Sequence, residues 1–260
     1  MRNAELSGLT GIRFYAALGV FLYHVPSFIP GMKAFGGSGV LFNLGDLGVS
    51  FFFVLSGFIL TYNYANVFRE GVPSAGYKRF LWDRLTKIYP VHFLTLLIVL
   101  PIAIFSPQWP LDWRAVPFHL VLLVAGALYA PHAAWPLLGG GLLYVPGSTL
   151  LILGVASGGG FLATHLSRPL LKRLGTASFS FYLIHEPLLR SVRGVCLFFG
   201  WAVHSWPAFG AVLVSMFVAA QTAAFLICYW YEIPLQKRLR MVDMSRFQRH
   251  PAWSSPKAAG

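Results

Sequence analysis

Long apolar runs separated by short polar connections dominate the chain. Runs of span length lie at 9–25, 47–66, 88–106, 116–130, 141–158, 176–189 extended to about 204, and 207–231, and each approaches the roughly 20 residues a helix needs to cross hydrocarbon. The pattern predicts an all-α polytopic transmembrane bundle of about 6 to 8 spans. Positive charge sits in the connections. The segment 67–87 holds Arg69, Lys78, Arg79, Arg84 and Lys87, whereas 26–46 holds only Lys33, so the 67–87 connection and the N-terminus are expected to be cytoplasmic. Seven spans would leave the basic tail, with Lys237, Arg238, Arg240, Arg246, Arg249 and Lys257, on the outside. An even count avoids that conflict. The fourth and fifth runs are joined by the Gly- and Pro-rich PHAAWPLLGGGLLYVPGS, and one of them is expected to be re-entrant or to fall short of spanning. The alternative is that an odd number of spans has been lost here. The expected organisation is one transmembrane domain over 1–240 and a disordered basic cytoplasmic tail over 241–260, in an inner or plasma membrane.

Composition agrees with the pattern. Of the 260 residues 57% are hydrophobic and 11% charged, with a mean hydropathy of +0.65, which removes a soluble domain from consideration. The formal charge of +12 does not point to nucleic acid, because the basic residues lie in loops and tail while the aromatics lie in the spans. Arg13 interrupts the first apolar run and no small-residue cleavage site follows, so that run is expected to stay on as a helix. Cys196 and Cys228 match no metal or redox spacing and read as structural thiols in apolar surroundings.

Within the first run, Arg13 and His24 are the informative pair. Eleven residues at about 100° each bring them within about 20° of the same helix face, with a rise of roughly 16 Å between them. Ionisable groups at spanning depth are costly to keep, and the default reading is a ligand path or a catalytic site. Plainer roles exist: Arg13 snorkelling to head groups, and His24 capping a helix end before Pro26. Ser56 and Gly57 read as close helix packing. His185, followed by Glu186 and Pro187, reads as a solvated outer helix end, and Glu232 before Pro234 as an inner helix end paired with Lys237 or Arg238. Tyr62, Tyr64, Trp82, Trp109 and Trp113 read as interfacial aromatics. No HExxH, CxxC or GxGxxG-plus-acid pattern occurs in the sequence, and nothing marks a metal or a tightly bound cofactor.

Five segments, in order, resemble the acyltransferase-3 family of integral membrane acyltransferases. LTGIRFYAALGVFLYH, with Arg13, ten residues and then His24, is similar to its N-terminal signature. LGVSFFFVLSGFIL, with Ser56, Gly57 and Phe58, resembles its second-helix motif. RFLWDRLTKIYPVH resembles its paired-arginine segment, with Arg84 and then Lys87, so that the second position keeps charge but loses the planar fork. RPLLKRLGTASFSFYLIHEPLLR resembles the penultimate helix, and YEIPLQKRL the closing Glu-x-Pro. The family's middle helices have no counterpart between Ala130 and Tyr144, and the chain is about a third shorter than the family core.

The resemblance implies O-acyl transfer from acyl-CoA, with acetyl-CoA as the expected co-substrate, to a hydroxyl of a sugar, glycan or related metabolite. Such a reaction needs a base that titrates near neutrality, and histidine meets that requirement. His24 and Arg13 are the expected catalytic residues, and Arg13, Arg84 and Lys87 the expected holders of the CoA phosphates. Ser56, Tyr89, His185 and Glu232 are candidate supporting residues. Two other readings remain open: a transporter using Arg13 and His24 as a substrate or proton path, and an inactive remnant of the family.

Overall fold

The computed structural model describes residues 2–36, 45–65, 74–105 and 145–247. The expected span at 116–130, Trp109, Trp113, the stretch between Ala130 and Tyr144 and the end of the tail lie outside the described residues. Helices α1 (Arg2–Phe28), α2 (Lys33–Gly36), α3 (Gly45–Tyr64) and α4 (Ser74–Phe105) are followed by α5 (Val145–Ala156), α6 (Gly160–Leu166), α7 (Pro169–Thr176) and α8 (Ser178–Phe198). Helix α9 (Trp206–Leu226) then passes through a π turn (Ile227–Glu232) into α10 (Ile233–Phe247). No strand occurs among the described residues.

Helix α1 is the spine. Its 27 residues extend roughly 40 Å, more than the ~30 Å of hydrocarbon in a bilayer. Pro26 lies inside α1, so His24 does not cap an end before that proline. Two apolar cores share α1. Its first half packs Leu9, Ile12 and Phe14 against Phe51 and Leu55 of α3, Ile152 and Val155 of α5, and Leu166 and Leu171. Its second half packs Ala17, Phe21 and Val25 against Phe181, Ile184 and Leu189 of α8 and Ala220 and Ala224 of α9.

Two glycines make the first of these cores possible. A Cβ on Gly11 would sit 2.0 Å from the Leu166 carbonyl oxygen, and one on Gly175 would sit 1.8 Å from that of Thr10. Only bare backbone permits such contact of α1 with the region around α6 and α7. At the opposite end of α1, Gly31 has φ +82° and its Cβ would meet the Val203 carbonyl at 2.2 Å. There the Val203 amide donates to the Pro30 carbonyl at 2.9 Å, tying the turn after α1 to the loop before α9.

Much of the outer surface is hydrocarbon. Phe53, Phe161, Phe198 and Trp230 are 75–84% exposed, which water would penalise and lipid would not. By length and composition, Leu47–Tyr64, Gly76–Pro101 and Trp206–Met241 are able to cross a membrane. The pair α5 and α6, bent by 80° across a short break, would make a fourth span if counted as one. The chain is therefore an all-α membrane bundle with three to four such spans among the described residues, against the 6 to 8 read from the sequence. Part of the difference is chemical. Helices α1 and α8 are long enough, but α1 carries Arg13 and His24, and α8 carries His185, Glu186, Arg190 and Arg193. The fifth run breaks at Ser157–Gly159, where Gly158 has φ +72°, in keeping with the expectation of an incomplete or re-entrant element. Helix α10 continues through Phe247, past the expected boundary of a disordered tail at 241.

Candidate functional site

Helices α1 and α8 run side by side in the same direction. Phe21 meets Phe181 at 5.5 Å between ring centroids, His24 meets His185 at 5.3 Å, and Arg193 donates to the Ser27 carbonyl at 3.2 Å. This register separates two poles of the bundle.

At the first pole the two histidines stand nearly edge to face, 66° between ring planes. The Nδ1–H of His24 donates to the Val20 carbonyl at 2.8 Å, and that of His185 to the Phe181 carbonyl at 3.3 Å. A carbonyl can only accept, so both rings keep the lone pair on Nε2. His185 is 3% exposed, and its Nε2 is buried without a hydrogen-bond partner among the described residues. The reading of His185 as a solvated helix end is thus corrected. Pro187 lies within α8, which continues to Phe198, and the histidine faces the interior beside Phe21 and Phe181. His24 is half-buried, stacked on Phe28 and edge-on to Tyr23. The guanidinium of Arg190 lies 5.0 Å from the centre of the Phe28 ring and pairs with Glu186.

At the second pole, Lys87 lies within electrostatic range of Arg13, Arg84, Glu232 and Arg240. Glu232 is 5% exposed and ends the π turn. One of its oxygens accepts from Ser180 Oγ at 2.6 Å, the other from Gln236 Nε2 at 3.0 Å. Its charged neighbours are Lys87 and Arg13, and no ion pair joins it to Lys237 or Arg238 among the described residues, which corrects that expectation. Gln236 Nε2 also reaches the Lys87 carbonyl at 3.4 Å. Arg84 lies over the Tyr64 ring at 5.6 Å, and its buried Nε has no hydrogen-bond partner among the described residues. Asp83 accepts from the Tyr64 hydroxyl at 3.1 Å and pairs with Arg240 at 3.8 Å, while Trp82 Nε1 donates to the Leu239 carbonyl at 3.4 Å. Tyr64 and Trp82, read as interfacial aromatics, thus also serve as links between elements.

Of the residues singled out from the sequence, Arg13, Arg84, Lys87 and Glu232 gather at one pole and His24 and His185 at the other. Ser56 is exposed and Tyr89 is 63% exposed, and neither hydrogen-bonds or pairs with these groups among the described residues. Ser180, Gln236 and Tyr23 were missed. Ser180 and Glu232 are 52 residues apart in the chain, and no local signal announces their bond. Four cations, Arg13, Arg84, Lys87 and Arg240, face two carboxylates, Asp83 and Glu232, so the second pole carries excess positive charge suited to a polyanion. The first pole pairs two imidazole rings, each with its Nδ1–H held by a backbone carbonyl of its own helix.

No solved structure matches the chain. Acyltransferase MdmB of Streptomyces mycarofaciens is 36% identical over 113 residues, which is 42% of this chain and 27% of that protein. The match thus spans about a quarter of that relative. A family profile described as an acyltransferase domain matches residues 6–139, just over half of the 260. It takes in the Arg13–His24, Ser56–Phe58 and Arg84–Lys87 segments and runs into the stretch between Ala130 and Tyr144 where no middle-helix counterpart is expected. With nearly all of α1 and the whole of α3 and α4 inside that match, the chain belongs to the acyltransferase-3 family.

Proposed function

We propose that the protein is a membrane O-acyltransferase that moves an acyl group from acyl-CoA to a hydroxyl of a saccharide or related acceptor, with His24 as general base. The observation that carries the reading is the pairing of His24 with a second, buried histidine about 16 Å along α1 from Arg13, with both Nε2 lone pairs unblocked. The excess positive charge around Arg13, Arg84 and Lys87 suits the phosphates of CoA, and the extended pantetheine arm carries the thioester toward His24. The acceptor oxygen attacks the thioester carbonyl as Nε2 of His24 takes its proton. The C–S bond breaks as the C–O bond forms, and the proton passes to the departing thiolate, giving CoA thiol and ester. His185 acts as a positioning residue that fixes the face of His24. Both termini lie in the cytoplasm, on the Arg13 side of an inner or plasma membrane.

The test incubates purified protein in nanodiscs with labelled acetyl-CoA and extracted cell-envelope glycans. His24→Ala is expected to lower transfer by roughly 10²–10⁴-fold, as for loss of a general base, with acyl-CoA affinity retained. Arg13→Ala and Arg84→Ala are each expected to weaken acyl-CoA binding by about ten- to a hundredfold. The reverse pattern refutes the assignment, and uptake of an unmodified substrate without consumption of acyl-CoA favours a transporter.

A further inference from the structure

Beyond His24 the end of α1 is flanked by two arginines of α8. Ser27 and Phe28 follow His24 by three and four residues, on the same side of the helix. Phe28 stacks on His24 with 6.1 Å between ring centroids, and the Arg190 guanidinium lies 5.0 Å from the centre of the Phe28 ring. Arg193, on the next turn of α8, donates from Nη1 to the Ser27 carbonyl at 3.2 Å. The two cations are balanced differently. Arg190 pairs with Glu186, whereas no carboxylate pairs with Arg193 among the described residues. Its bond to Ser27 uses one of the five N–H donors of a guanidinium. Its Nε is buried with no hydrogen-bond partner among the described residues. The Nε–Nη2 edge, the side on which a guanidinium forks a carboxylate or phosphate, is thus unspent. A helix-end carbonyl satisfies one donor but cancels no full charge, and a partly buried cation without a counter-charge is costly to keep. Membrane orientation does not account for it, because the topology proposed above puts this pole on the side where arginine is disfavoured. The pole is also open to a ligand: Tyr23 and Ser27 are exposed, and Glu186 and Arg190 are partly so.

We infer that the acceptor is an anionic saccharide, whose carboxylate or phosphate is held by Arg193 while a hydroxyl of the same molecule faces His24. The inference rests on His24 as the point of transfer in the reading above.

The test supplies the full chain in nanodiscs with labelled acetyl-CoA and with cell-envelope glycans divided by anion exchange into neutral and anionic pools. Label is expected in the anionic pool. Dephosphorylating that pool beforehand tells phosphate from carboxylate, since only a phosphate acceptor loses its label. Arg193→Gln keeps a donor for the Ser27 carbonyl and removes the charge. It should raise the apparent KM for the anionic pool by about ten- to a hundredfold, the worth of a charge-assisted hydrogen bond, with acyl-CoA affinity as in the parent. Arg193→Lys should recover part of the loss. Lys33→Gln, at an exposed cation just after α1, is the control and should leave KM unchanged. Raised salt should lift KM in the parent protein too, a readout that needs no variant. Label entering the neutral pool as readily as the anionic one, or an unchanged KM in Arg193→Gln, overturns the inference and leaves acyl transfer intact. No label in either pool, with no CoA thiol released, overturns both.

Discussion

At His24 the carbonyl of Val20 fixes the tautomer, since it holds the proton on Nδ1 and leaves the lone pair on Nε2. His185 repeats the arrangement one helix away. Its replacement by phenylalanine keeps an aromatic ring among Phe21 and Phe181 but removes Nε2. His185→Phe is expected to retain the thermal midpoint within a few degrees and acyl-CoA affinity, while transfer falls; unchanged kcat would dismiss the positioning role. Arg13 and His24 were legible from sequence because their relation is local, two positions on one helix face. His185 was not. A polar pair followed by proline looks the same whether a helix ends or continues, because proline removes only one amide donor and a neighbouring helix can hold the segment in place.

Packing between elements depends on bare backbone and on one short network. Gly175→Ala or Gly11→Ala places a methyl group against a carbonyl oxygen at about 2 Å and is expected to cost about 3 kcal/mol, at the upper end of overpacking penalties, read as a lowered midpoint in thermal unfolding. Retention of the midpoint would mean that α1 and its neighbours part more easily than their contact implies. Ser180 is fully buried and holds Glu232. Ser180→Ala is expected to destabilise by about 1–3 kcal/mol, and it also leaves the carboxylate freer to follow Lys87 and Arg13. Apolar runs fixed the positions of α1, α3, α4 and α9 in the sequence. The packing of α5 against α1 and α3 depends on side-chain relief across three elements, and periodicity along any single one does not encode it.

Across the whole molecule the register of α1 with α8 and of α4 with α10 places the turn after α1 and the start of α10 at opposite ends. In a background of Cys196→Ser and Cys228→Ala, cysteines placed at exposed Lys33 and Arg238 should label from opposite sides of sealed vesicles with an impermeant maleimide; labelling from one side would break this topology. The apolar runs made an all-α membrane bundle legible, whereas α1 and α8, which carry charged and imidazole side chains, fall below the apolarity of the other spans among the described residues. The π turn at Ile227–Glu232 has its own consequence. It holds one residue more than an α turn would, and that surplus is taken up inside the turn. In regular winding a single deletion would rotate everything that follows by about 100°. Within the π turn it would instead restore an α turn and leave Gln236, Leu239 and Arg240 facing α4. The turn thus acts as slack, tolerating the loss of a codon that the flanking helices would not.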